Sequence, residues 1–333
     1  MKIKAHGDHF ENHKQYLSVI RTIEAYLDSN GYQRLMLPVL SPALIPESYL
    51  EIFETTFTYL KKSEHLYLTP SPELFIKRLI AEGVGDCYYL GPSFRNAEPN
   101  SPKHMPEFTM LELYGIGKDY MFIADEVLSM LQRIAKKLYS SSHITYAGTK
   151  VDFSRWEKMT VAQAFERYAG ITPEQLFNTN LFCETAKAKR YVTDAFSYED
   201  LWSQMYAQEV EPHLGMNGHA TLLYDYPVQF ATLSKPNDDG VTAQRFEFYI
   251  AGVEIGNCYS ELTDWKLQEQ RLKEEQQLRK KHGLITHPSD DGFIDALKKG
   301  MPACSGIAIG VERLAMVMLD LPSIEDLQVI SVV

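Results

Sequence analysis

An α+β fold, with helices packed on a mostly antiparallel sheet, is what this 333-residue chain predicts. Segments of strand character follow one another through short turns more often than they alternate with helices. The helical segments carry apolar residues at i, i+3 and i+4 spacing. The composition, 45% hydrophobic and 23% charged, is that of a globular chain able to bury one large core or two small ones. No repeat or linker interrupts it, so we expect a single domain over residues 1–333 with a helical insertion at about 140–215.

The elements follow in order. Over residues 13–30, Tyr16, Val19, Ile20, Ile23, Tyr26 and Leu27 recur at helical spacing, and Gly31 stops the helix. Ser71 and Pro72 open PELFIKRLIAEG as an N-cap and a first-turn residue. CYYLGPSF and EFTMLELYGIG read as strands on either side of a proline-rich loop. An amphipathic helix is predicted over 120–138, with shorter helices over 161–168 and 198–208. TLLYDYPVQFATL, RFEFYIAG and VEIGNCYSEL supply further strands, the last two joined by a hairpin turn at Ala251-Gly252. Residues 265–282 are helical and so charged that they read as a solvated face. GIAIGVERLAMVMLD reads as a strand running into a helix.

Several function classes are disfavoured. A net charge of −11 gives no global attraction for nucleic acid. Cys87, Cys183, Cys258 and Cys304 form no CxxC pair, which points to a reduced, cytoplasmic setting without a cysteine zinc site. Cys258 and Cys304 read as small packing residues. The polar start, MKIKAHGDHFENHK, is not a signal peptide, and no apolar run approaches transmembrane length. P-loop, G-x-G-x-x-G, HExxH and GxSxG motifs are all missing.

Acids and arginines on strand-like segments are the candidates for chemistry. Glu247 and Glu254 lie on the two arms of one hairpin, which can bring both carboxylates to one face and suit Mg²⁺ on phosphate oxygens. Each alone reads equally well as a solvated strand residue. Arg95 and Arg313 carry the guanidinium fork that matches phosphate, although most arginines end in surface ion pairs. Phe108 can stack on a base or fill a core. Glu73, Glu112 and Glu261 form a second acid group, with Tyr114 and Asn257; Glu112 and Tyr114 share a strand face. Carboxylates around one pocket repel unless a cation sits among them, so convergence here calls for a ligand with amino groups.

Taken together and in order, FRN…PEFTMLELY, EIGNCYSELTD and GIAIGVERL resemble motifs 2 and 3 of the class II aminoacyl-tRNA synthetases, with the lysyl-type sequence between them. Pro38, in GYQRLMLPVLSP, resembles the motif 1 proline near a dimer interface. The likeness runs from about residue 13 to the end. GLITHPSDDGFIDALKKGMPACSG is similar to the freestanding paralogue family, the elongation factor P lysyltransferases. The chain begins at motif 1, so no anticodon-binding domain is expected.

That resemblance implies activation of lysine or β-lysine with ATP and Mg²⁺, transfer to a lysine of a protein acceptor, elongation factor P, and a homodimer. Transfer to tRNA and a catalytically silent amino-acid sensor are the alternatives. It implies that Arg95 holds the α-phosphate and the substrate carboxylate, and that Arg313 holds the γ-phosphate. Asn96, Glu98, His104 and Phe108 would bind ATP, Phe108 by stacking on adenine and His104 near the triphosphate tail. Glu247 and Glu254 would hold the metal. Glu73 would meet the backbone-side amine, Asn257 the carboxylate, and Glu112, Tyr114 and Glu261 the side-chain ammonium. The sequence departs from the family at Ala97, where an acid is usual; Glu98 comes one residue later and His104-Met105-Pro106 replaces His-Asn-Pro. Gly256, beside the substrate backbone, stands where the paralogue typically has alanine, which leaves α-lysine and β-lysine both open.

Overall fold

The chain divides into two units in the computed structural model, which describes residues 2–97, 101–194, 196–231 and 233–332. The first unit is Met1–Asp119 with Glu261–Val333, and the second is Tyr120–Ser260. Glu98 lies outside the described residues.

In the first unit, Cys87–Phe94 and Glu107–Ile116 are the strands that the sequence predicts, paired antiparallel. Gln33–Leu35 joins Cys87–Phe94 in parallel, and Cys304–Gly310 joins Glu107–Ile116 antiparallel. Cys87–Leu90 of the first and Met110–Gly115 of the second are buried, which is why these stretches read as near-continuous apolar runs. The first helix, Phe10–Ser29, starts earlier than its apolar stripe and ends before Gly31 at φ +82°. The helix Glu73–Ala81 has Pro72 rather than Ser71 at its N-cap. Ser71 nonetheless caps it from one residue further out, its Oγ accepting from the Glu73 N–H at 3.1 Å. The strand-to-helix passage at the chain's end is Cys304–Gly310 followed by Val311–Met318.

Trp265–Lys281 is a helix, but not simply a solvated face. Arg279 is 2% exposed. It donates to the carbonyls of Glu47 (2.7 Å), Leu50 and Ile285 (2.5 Å) and pairs with Glu51 at 3.3 Å. Its charge is buried because the 47–51 loop turns its carbonyls inward and needs donors.

In the second unit the helix Tyr120–Tyr139 buries Ile123, Val127, Leu131 and Ile134. The strands run in the order His143–Tyr146, Thr149–Thr160, His219–Pro227, Thr242–Ile250 and Val253–Ser260, antiparallel except for the parallel second pair. The segment read as helical from about residue 140 therefore opens with two strands, joined by a turn with Ala147 and Gly148 at φ 46° and 80°. Polar residues between Val151, Phe153, Trp156 and Met159 had disguised them. Helices follow, packed around Phe165, Phe182, Trp202 and Tyr206. TLLYDYPVQFATL is a strand only as far as Pro227; Val228–Phe230 is a single 3₁₀ turn, because proline ends the ladder. Ala251 and Gly252 have φ 47° and 75°, the two left-handed residues that a tight hairpin needs. Among the described residues, no helix is long and apolar enough to cross a membrane.

Candidate active site

Two acid groups, one in each unit, and the loop between the two central strands hold the predicted residues, apart from Arg313 on the helix Val311–Met318 and Glu98 outside the described residues.

In the first unit, Glu73, Glu112 and Glu261 do converge, and the chain supplies a cation of its own among them. Lys77, 2% exposed, reaches Glu73 one helical turn away and Glu261 at 2.6 Å. Ser71 donates to Glu112, and Tyr114 donates to its other oxygen at 3.3 Å. Glu261 Oε1 is buried without a hydrogen-bond partner among the described residues. One ammonium cannot neutralise three carboxylates, and the titration follows from that. Burial and then the charge of Glu73 push the Glu112 carboxyl up to about 8. Burial likewise pushes Glu261 up to about 8, with Lys77 opposing. Burial alone would lower Lys77, but Glu261 and Glu73 outweigh it and hold the ammonium above its ordinary value. The pocket is thus short of positive charge at neutral pH and keeps protons in its place.

The register explains how Tyr114 fits. Gly306 lies opposite it on the next strand, and a Cβ there would sit 2.3 Å from the ring. Only glycine leaves room for the ring beside Glu112.

The loop that links these strands is anchored at both ends. Arg95 N–H donates to Pro106 O at 2.9 Å, and the guanidinium lies 5.4 Å from the Phe108 ring centroid. The cation and the aromatic predicted at opposite ends are therefore neighbours. Asn96 is tied to the 51–52 segment, its N–H to Glu51 O and its side chain to Ile52 O. Because Glu51 is itself held by Arg279, that buried arginine fixes the near end of the loop. His104 Nδ1 meets Ser101 Oγ at 2.9 Å, and Arg313 Nε donates to Lys103 O at 3.0 Å. Glu312, next to Arg313, accepts the Thr109 N–H on both oxygens (2.9 Å each) and the Tyr16 hydroxyl at 3.0 Å. It locks the head of the last helix to the Phe108 strand.

In the second unit, Glu247 and Glu254 share one face because of a β-bulge. Glu247 pairs with Asn257, and Phe248 with Gly256, but Tyr249 pairs with Glu254. The ladder skips Ile255. Three residues apart on a regular strand, Glu254 and Asn257 would point to opposite faces; the extra residue brings them to the same one. Glu247 Oε1 accepts from Arg245 at 2.8 Å and Oε2 from the Tyr249 hydroxyl at 2.6 Å. Tyr206 joins at 2.5 Å from Tyr249, and burial with the charge of Glu247 raises both phenols well above their ordinary range, so they stay donors. Each Glu247 oxygen retains a second lone pair, so the two carboxylates fit a hard divalent cation such as Mg²⁺. Asn257 Oδ1 is buried without a hydrogen-bond partner among the described residues, and Gly256 is buried.

Sequence reasoning missed Lys77, Arg245, Tyr249, Arg279 and Glu312. The first was signalled by Glu73 and Lys77 at i, i+4 within an apolar helix, and the next two by their alternation with Glu247. Nothing in the sequence marks Arg279 among its charged neighbours.

A model of the family of class II tRNA synthetases (D, K and N) matches residues 7–331. Proteins named elongation factor P–(R)-β-lysine ligase, from Yersinia enterocolitica, Salmonella arizonae and Salmonella paratyphi B, are each 34% identical over 316 residues. The alignment covers 93% of this chain and 91% of each relative.

Proposed function

The chain belongs to the class II tRNA synthetase family, and on that premise we propose that it is an ATP-dependent ligase for lysine or β-lysine. The amino acid is activated as its adenylate and passed to a lysine of elongation factor P. The observation that carries this is the buried cluster of three carboxylates around a single lysine, which calls for ammonium groups on the substrate. The names of the relatives supply the acceptor, and they favour (R)-β-lysine.

In this reaction Glu73 takes the backbone-side amine of the substrate, while Glu112, Tyr114 and Glu261 take its side-chain ammonium. Asn257 orients the carboxylate, and Gly256 leaves space beside the substrate backbone. A carboxylate oxygen attacks the α-phosphorus and pyrophosphate leaves. Arg95 offsets the negative charge gathering there, and Arg313 holds the γ-phosphate, so catalysis is by positioning and electrostatics. Phe108 stacks on adenine, with Asn96 and His104 along the nucleotide; Glu98 is assigned to ATP by resemblance alone. Glu247 and Glu254 would hold Mg²⁺, which when bound would supply charge neutralisation for the phosphates. The acceptor amine then attacks the acyl carbonyl and AMP leaves. We further propose that the enzyme works in the cytoplasm as a homodimer.

Incubation with ATP, Mg²⁺, each lysine isomer, elongation factor P and tRNA, read by mass spectrometry, tests this directly. The expected product is elongation factor P heavier by one lysyl group. Labelling of tRNA with the factor left unmodified would assign a different acceptor, and no product with any isomer would overturn the proposal.

A further inference from the structure

The polar N-terminal stretch MKIKAHGDHFENHK has no part in the proposed reaction, yet its histidines are built in. His6 is 5% exposed. Its backbone N–H donates to Val329 O, just beyond the short antiparallel pairing of Ile3–Ala5 with Ile330–Val332. The imidazoles of His6 and His9 stack with centroids 4.6 Å apart and planes at 11°. One ring nitrogen of His6, one of His9 and a carboxylate oxygen of Asp8 lie within 4.8 Å of one another. Asp326 comes from the other end of the chain, its Oδ1 3.6 Å from His9 Nε2. Its Oδ2 is buried without a hydrogen-bond partner among the described residues.

The hydrogen bonds fix the tautomers. His9 Nδ1 lies 3.0 Å from Gln328 O, and since a carbonyl only accepts, Nδ1 carries the proton. His9 Nε2, the nitrogen nearest Asp8 (4.0 Å) and Asp326, then has a lone pair. Ser331 gives its one hydroxyl proton to Glu325 at 3.4 Å, so its Oγ accepts from His6 Nε2–H at 2.8 Å. That leaves the lone pair of His6 on Nδ1. Imidazoles whose second nitrogen donates to a carbonyl or to a hydroxyl–carboxylate pair are oriented as metal ligands are.

We propose that His6, Asp8, His9 and Asp326 form a Zn²⁺ site that fastens the two ends of the chain together. Two neutral imidazoles and two carboxylates make a four-ligand set suited to tetrahedral zinc. The distances of His9 Nε2 to Asp326 (3.6 Å) and Asp8 (4.0 Å) need to contract by under about 1 Å, since ligands at about 2.0–2.2 Å from zinc lie just over 3 Å from one another, and one of the two stacked imidazoles must turn so that both lone pairs meet the ion. The site is independent of the ligase proposal, because none of these residues has a role in that reaction.

Calorimetric titration of Zn²⁺ into the metal-free full chain tests it, beside His9→Ala and Asp8→Asn. Asp8 is exposed, so its substitution leaves the fold intact even if loss of His9 does not. We expect one tight equivalent in the wild type, weakened roughly 100-fold by His9→Ala and roughly 10-fold by Asp8→Asn, with a rise in unfolding temperature on Zn²⁺ addition only where the tight equivalent survives. Zinc held elsewhere would persist unchanged in both variants. Equal affinity and stoichiometry in all three proteins, or no tight equivalent in the wild type, would overturn the proposal.

Discussion

The acid group on Glu73, Glu112 and Glu261 and the acid pair Glu247 and Glu254 are built from the same side chain and balanced in opposite ways. The first is buried and short of cations, with one lysine for three carboxylates, so protons make up the difference. The second has donors already in place, a guanidinium and a phenol on the two oxygens of Glu247, while Glu254 stays partly exposed. The way charge is compensated, rather than the number of acids, is what separates the pocket we propose for ammonium groups from the platform we propose for a metal.

The comparison breaks first at Lys77. Lys77→Met would leave three buried carboxylates with no cation, and we expect a loss of about 3–5 kcal/mol in denaturant unfolding at pH 7. The loss should grow above about pH 8, where Glu112 and Glu261 of the wild type give up their protons beside Lys77 while those of the variant must keep them. A loss no larger at pH 9 than at pH 7 would mean that Lys77 acts by packing alone.

Glu112 comes next. Folding raises its carboxyl, and that of Glu261, from 4.5 to about 8, so the folded state binds more protons between those values than the unfolded state does. The stability this contributes is complete below about pH 4.5 and is lost as pH rises through about 8. Glu112→Gln should flatten that decline in unfolding measured across the window, and should weaken lysine binding roughly 10- to 100-fold, about 1.4–2.7 kcal/mol. A pH profile of stability identical to that of the wild type would remove Glu112 from the cluster.

Gly306→Ala adds a Cβ against Tyr114, at a cost of about 1–3 kcal/mol in stability, and should raise the KM for lysine while sparing that for ATP. Equal rises in both KM values would show a general distortion. The smallest effect is expected from Tyr249→Phe, which takes one donor from Glu247 and costs about 1.5 kcal/mol. It should move the Mg²⁺ dependence of activity without moving the lysine dependence.

Much of this was legible in the sequence because burial and periodicity agree there. Cys87–Phe94 and Glu107–Ile116 are apolar enough to be read at sight, and Ala251-Gly252 is a turn that few other conformations suit. The hairpin arms were legible too, but not the bulge at Ile255 that decides which of their acids align, because register depends on pairing rather than composition. The strands from His143 to Thr160 were hidden by polar residues at alternate positions. Lys77 and Arg279 were hidden for one reason: a buried charge looks like an exposed one until its partners are known.

The central claim, that the buried acids select an amino acid by its ammonium groups, is tested most directly by exchange of labelled pyrophosphate into ATP. Lysine, β-lysine and norleucine, which lacks the side-chain ammonium, should be compared at equal concentration. Exchange with either lysine isomer and none with norleucine is the predicted result. Norleucine supporting exchange as well as lysine, or no exchange with any of the three, would contradict it.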